Sequence, residues 1–208
     1  MFRILLRSSL AVCSVLCVLF FFTPSQGAEP EERVQAMLKT VMSIQTDPQL
    51  QGQEFRAKKR AAIKKVIGEN FDFDRMAEAA LRSYWKDLDE KQRAAFRGIF
   101  KDLFQDSYTR LVLNFLKEEK VLYTQEEVRK DGAMVKTVIM RTQEQIPVDY
   151  FLAPLKEGWR VHDVKIDGVS IVGNYQQSFA RVIKRESYHA LLDKMKLQQQ
   201  AITAENSQ

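Results

Sequence analysis

The sequence predicts an α+β fold, with an antiparallel sheet of about four strands held between N-terminal and C-terminal helices. Three observations predict it. Apolar residues recur with a helical period as far as Lys120, they alternate with a period of two from Val121 to Ile166, and the helical period resumes at Ser170. Helices and strands grouped in blocks, rather than alternating one by one, exclude a doubly wound parallel sheet.

The first element is an address. Arg3 and Arg7 precede a 13-residue apolar run, Leu10 to Phe22, followed by Pro24, Ser25 and Gly27. This is the layout of a secretory signal peptide over residues 1–27, and the run falls short of the roughly 20 residues that cross a bilayer. The small residues at Ser25 and Gly27 place the mature start at Ala28. Cys13 and Cys17, the chain's two cysteines, both lie in this stretch. Val12 and Leu16 stand where a lipoprotein signal needs a small residue, which disfavours a lipid anchor. Residues 28–208 are thus expected to form one exported, soluble domain without thiols or disulfides. Removing the two arginines lowers the net charge from +5 to +3.

Pro30 opens the first helix, with Val34, Met37, Leu38, Val41 and Ile44 on one face and Pro48 beyond its end. A second helix is expected from about Gln49 to Ile67, ended by Gly68. Asp72 is placed to cap a third, whose stripe is Phe73, Met76, Ala77, Ala80, Leu81 and Tyr84. Asp89 and Gln92 have the spacing of a capping box ahead of the longest stripe, which runs from Phe96 through Phe100, Leu103, Phe104 and Tyr108 to Val112. Val121–Lys130 and Ala133–Thr142 flank Asp131-Gly132 as a hairpin. The segment from Ile146 to Leu152 alternates, and Gly158 turns the chain into Trp159–Ile166. In that last strand Trp159 and Val161 share one face while Val164 and Ile166 share the other, which predicts a bulge near His162-Asp163. Helical spacing then runs from Ile171 to Ile183 and from Tyr188 to Met195, with a polar, frayed tail expected after about residue 198.

The catalytic and metal motifs are missing. There is no phosphate loop, no nucleophile elbow and no zinc-protease pair, and His162 and His189 lie on different elements. Enzyme is the disfavoured reading, and no cofactor is expected. Six cations fall between Arg56 and Lys65, with Arg56, Arg60 and Lys64 at helical spacing. The ordinary reading of such a run is a solvated helix face; the sharper one is contact with an anionic membrane surface or an acidic partner. Export argues against nucleic acid. The aromatic stripe likewise reads first as plain core, and otherwise as the wall of an apolar pocket that a curved sheet and its covering helices leave open at one end.

The segment from Trp159 to Phe179 carries Trp159, Val161, Asp163, Val164, Ile166, Gly168, Val169 and Ser170, followed by Asn174, Tyr175 and Phe179. It resembles the signature of the MlaC, or toluene-tolerance, family of periplasmic phospholipid carriers. Phe71 to Ala77, Tyr84-Trp85 and the Phe96 stripe resemble the same family, so the likeness covers about residues 30–197. Ser187 stands where a glycine is usual between the last two helices, and Gly173 where a second polar residue is common. The resemblance implies a nuclear-transport-factor-like cone with an apolar cavity for phospholipid acyl chains. It also implies a monomeric shuttle between an outer-membrane lipoprotein complex and an inner-membrane ABC transporter bearing an MCE domain, in service of outer-membrane lipid asymmetry. Some relatives are associated with hopanoids, which leaves that cargo as an alternative.

From the facing of each element and this family picture, the expected tail-lining residues are Phe73, Met76, Ala80, Phe100, Phe104 and Tyr108 on helices. On the sheet side they are Val138, Met140, Val148, Tyr150, Leu152, Val161, Val164, Ile166 and Ile171. The break at His162-Asp163 allows one of Val161 and Val164 to point away.

Overall fold

The computed structural model describes residues 29–206. The signal peptide read over residues 1–27, and the mature start at Ala28, lie outside the described residues. The helices are α1 (Pro30–Thr46), α2 (Arg56–Asn70), α3 (Phe73–Leu81), α4 (Glu90–Phe115), α5 (Ile171–Arg185) and α6 (Tyr188–Asn206). Between α4 and α5 lie β1 (Lys120–Arg129), β2 (Gly132–Met140), β3 (Gln145–Leu155), β4 (Gly158–Ile166) and β5 (Val169–Ser170). The five strands pair antiparallel in chain order as a simple meander. The fifth, only two residues long, is the one the alternation pattern did not resolve.

The local signals for helix starts act as their chemistry requires. The Asp72 carboxylate accepts from the Arg75 amide at 3.0 Å. Asp89 and Gln92 exchange side-chain to backbone bonds at 2.8 and 3.0 Å, which fixes the first turn of α4. Ser170 accepts from the Gly173 amide at 2.8 Å and so starts α5. Ser187 replaces the expected glycine with a cap, its hydroxyl accepting from the Ala190 amide at 3.1 Å. The chain therefore breaks after Arg185 and restarts without a left-handed residue.

Three boundaries differ from the sequence reading. The helix expected from Gln49 begins at Arg56, because Gly52 sits at φ +99° between two short 3-10 turns, Pro48–Leu50 and Gln53–Phe55. It also passes through Gly68 to Asn70, which bonds back to the Val66 carbonyl at 2.7 Å. The tail expected to fray after 198 stays helical to Asn206, since Ile202 continues the stripe of Leu191 and Met195 and is buried with them.

The β1–β2 hairpin pairs Arg129 with Gly132, so Lys130 and Asp131 are its two loop residues. Gly132 belongs to the ladder, and a side chain there would put Cβ 2.9 Å from the Leu152 carbonyl oxygen. The bulge falls where the pattern placed it: Phe151 pairs with Asp163 and Leu152 with Val161, leaving His162 as the extra residue. As a result Val161 and Val164 are both buried. Asp163, next to the extra residue, accepts from the Ser170 hydroxyl at 2.6 Å and from the amides of Val164 and Val172 at 2.9 and 3.1 Å. A carboxylate at the N-terminus of α5 is favoured by the helix dipole. One side chain of the signature thus locks the bulge to the helix that follows.

The helices cover one face of the sheet, and a core runs from Val34 to Ile202. At its centre the rings of α4 tile against α3 and α5. Phe96 and Phe100 lie 5.8 Å apart, Phe100 meets Tyr175 at 5.4 Å, and Phe96 meets Phe179 at 5.8 Å. Phe104 contacts Phe73 at 5.7 Å and stacks on Tyr108 at 4.1 Å. Each such pair adds roughly 0.5–1.5 kcal/mol beyond the area it buries. The sheet joins this layer through its backbone as well, where the Asp72 amide donates to the Val161 carbonyl at 2.8 Å beside a Phe71–Val161 bridge.

Candidate functional site

Beyond Tyr108 the tiling stops, and a cavity of about 350 Å³ opens between the end of α4, the middle of α1, the end of α2 and the inner face of the sheet. Helix α1 contributes Met37, Leu38 and Val41; α4 contributes Tyr108, Leu111, Val112 and Phe115; β3 contributes Ile146, Val148 and Tyr150. Val66, Ile67 and Phe71 close the end nearest the aromatic core. The lining is apolar except for the two phenols and two carboxylates, Glu144 and Asp167. Both carboxylates are exposed, as is Phe115 at 50%, and together they mark the mouth.

The phenols do not bring charge inside. Burial raises the Tyr108 hydroxyl well above its ordinary range, with Tyr175 and Asp163 adding to the effect. Burial does the same to Tyr150, helped by Tyr123 and opposed by a hydrogen bond with Thr137. Both stay protonated and neutral at any physiological pH. No histidine, lysine or carboxylate reaches the interior of this cavity among the described residues. Its walls can desolvate a hydrocarbon, and they offer no acid, base or nucleophile there poised for bond making.

Of the residues expected to line a pocket, the structure brings Tyr108, Val148, Tyr150, Val164, Ile166 and Ile171 to this cavity. Phe73, Met76, Ala80, Phe100 and Phe104 are elsewhere, buried in the ring-tiled core between α3, α4 and α5. Leu152 and Val161 are fully buried in the same core. Val138 and Met140 are corrections: β2 turns Ala133, Val135, Thr137 and Ile139 inward, so these two stand on the outer face. Met134, Val138 and Met140 make the outer row apolar except at Lys136, just as the inner row is apolar except at Thr137, so each row carries one polar break. The inward Thr137 misled further; its hydroxyl is buried because it donates to the Val148 carbonyl at 2.9 Å.

Several lining residues were missed. Met37, Leu38 and Val41 on α1, like Leu111 and Val112 on α4, have the helical spacing of a buried face, and spacing does not separate core from cavity wall. Phe115 and Leu116 follow the stripe into the charged connection, and no sequence signal marked them as a rim. Gln45, buried at the end of α1, has a structural task beside the cavity. Its Nε2 donates to the carbonyls of Val112, Leu113 and Leu116 at 3.0, 3.3 and 2.8 Å, tying α1 to the last turn of α4.

A second depression, of about 1080 Å³, lies on the other side of that last turn. It is lined by Arg110, Leu113, Asn114 and Lys117 of the α4 end and by residues of α2 and of the β2–β3 connection. No helix among the described residues is long and apolar enough to cross a membrane.

The profile of a family described as MlaC protein matches residues 35–197. Comparison with curated proteins gives no significant match. Among solved structures, the fold superposes with a TM-score of 0.73 on a phospholipid-binding protein from Ralstonia solanacearum determined in complex with a phospholipid. The two sequences are 22% identical, and the match covers 85% of this chain and 99% of that one. At that identity the likeness speaks for the fold.

Proposed function

This chain belongs to the MlaC family, and from that premise we propose that it is a periplasmic phospholipid carrier whose apolar cavity takes acyl chains. The observation that carries the reading is the cavity itself, hydrocarbon-lined along its length and charged only at its mouth. The phospholipid complex of the Ralstonia solanacearum protein, which has the same fold, supports it. The apolar run at residues 10–22 and the Arg3 and Arg7 before it support export.

The energetics suit a carrier. Each methylene taken out of water contributes about 0.8 kcal/mol, so a free acyl chain is held tightly by any dry apolar wall. A membrane offers the same stabilisation, and exchange between the two is close to balance. Direction then comes from docking partners. Under this reading they are an outer-membrane lipoprotein complex and an inner-membrane ABC transporter with an MCE domain. A methylene fills roughly the volume of a water molecule, about 30 Å³, which makes 350 Å³ the space of about a dozen methylenes. That is most of one acyl chain. No catalytic role is proposed.

The test is to extract the purified protein with organic solvent and identify what it carries by mass spectrometry. About one phospholipid per chain is the expected result. A triterpenoid in its place would change the cargo to a hopanoid, and a chain that stays empty in the presence of lipid vesicles would end the reading.

A further inference from the structure

The depression behind the last turn of α4 has a composition opposite to the cavity's. Seven basic side chains and two acids line it. Arg56, Lys59 and Arg60 come from α2, Arg110 from α4, Lys117 from the connection after α4, and Arg141 from the connection after β2. Of the two acids, Glu118 and Glu119, the second pairs with Arg141 at 3.6 Å, and the lining keeps a surplus of positive charge. Asp106, the acid facing Arg60 from α4, is held by Lys64 at 2.6 Å. Lys59 donates to the Gln45 carbonyl and to Gln51, and Arg56 spends one N–H on Gln53 at 3.2 Å. Arg60 is the exception. Its Nη1 is buried and has no hydrogen-bond partner among the described residues.

An unpaired guanidinium nitrogen under a cluster of like charges is costly, and folded proteins rarely keep one without use. The physical signs agree. Burial and the neighbouring charges of Arg56 and Arg110 hold the Arg60 guanidinium below its ordinary pKa, against the attraction of Asp106. Its Nη1 lacks an acceptor. The forked donors of several arginines in one concave wall match the oxygens of a phosphate better than a single carboxylate.

We propose that this groove is a second binding site, in which Arg60, flanked by Arg56 and Arg110, receives a phosphate group. The phosphate belongs either to a lipid headgroup at a membrane surface or to a free phosphate; the recognising chemistry is the same. The inference is independent of what fills the apolar cavity, since no residue that lines the groove also lines the cavity.

The experiment titrates purified protein at low ionic strength with inorganic phosphate by calorimetry, and separately measures co-sedimentation with vesicles of phosphatidylglycerol and of phosphatidylcholine. Binding of phosphate, or of phosphatidylglycerol vesicles alone, that weakens about tenfold in Arg60→Ala supports the site. The first result names free phosphate as a ligand, and the second names the headgroup. Arg56→Gln, on the exposed side of α2, is a second variant that cannot disturb the core, and it is expected to weaken the same binding. Circular dichroism confirms that each variant is folded, and cargo content by mass spectrometry is expected to be unchanged in both. Equal binding by wild type and both variants overturns the proposal, as does the absence of binding to phosphate and to anionic vesicles. Arg60-dependent binding of polyglutamate alone, without either of these, would make the groove a protein surface and overturn it as well.

Discussion

The two halves of α4 carry the same kind of side chain and use it differently. From Phe96 to Phe104 each ring is covered by α3 or α5, and the space between them is filled. From Tyr108 to Phe115 an equally apolar face looks across about 350 Å³ toward α1 and the sheet. Apolarity is common to both halves. What separates core from cavity is whether rings from a second helix close over it, and those of α5 meet α4 through Tyr175 and Phe179 at Phe96, Phe100 and Phe104.

Truncation should expose this contrast most directly. Phe100→Ala empties a volume that its neighbours fill on every side, and is expected to cost about 3–5 kcal/mol in denaturant unfolding. Leu111→Ala, in the open half, enlarges space that already exists and is expected to cost well under half as much. Comparable losses at the two positions would mean that the cavity is closed in solution. Gln45→Leu removes the donor for three carbonyls at the α4 end and should cost roughly 1–3 kcal/mol, read in the same unfolding experiment. Its effect should fall on the cavity half, with faster hydrogen exchange at Leu113–Leu116 and unchanged protection around Phe100.

Filling separates the halves without loosening either. Leu111→Trp is expected to reduce co-purified lipid severalfold while moving the unfolding midpoint little, and Met140→Glu, on the outer face of β2, should leave lipid content alone. An equal loss of lipid in both would place the cargo outside the cavity. The smallest effect is confined to alkaline solution. Tyr108 and Tyr150 have phenols raised above the ordinary value of 10.0, so the unfolded chain releases their protons first. Their contribution to stability is complete below about pH 10 and declines as pH rises toward their folded values. Replacing both by Phe should flatten that decline in a pH series of unfolding midpoints.

Much of this was legible in the chain. Asp72, the Asp89–Gln92 box and the phase break at His162 each follow from short-range rules, and each acts locally in the structure. The family signature was legible too, and Asp163 now has a physical reason in it. The division of α4 was hidden, because it depends on how far α5 extends, and nothing within α4 records that. The inner face of β2 was hidden for a simpler reason: each of its rows is apolar but for one residue, Lys136 outside and Thr137 inside, and Thr137 is satisfied by the strand beside it. The basic run at Arg56–Lys65 was visible as charge. That Lys64 and Lys65 are paired with Asp106 and Glu69, while Arg60 is not, required the third dimension.

The bridge between Phe71 and Val161 bears on the order in which the molecule assembles. It joins residues 90 positions apart, and bringing such a loop's ends together costs about 4 kcal/mol of chain entropy before any contact repays it. The rings of α3 and α4 meet over much shorter separations and are free to gather early. Phe71, which ends the cavity, is fixed to the sheet only when β4 has found its place. The container is thus completed late in folding, after the core beside it, and a nascent chain exposes its sheet's inner face to water until that closure is made.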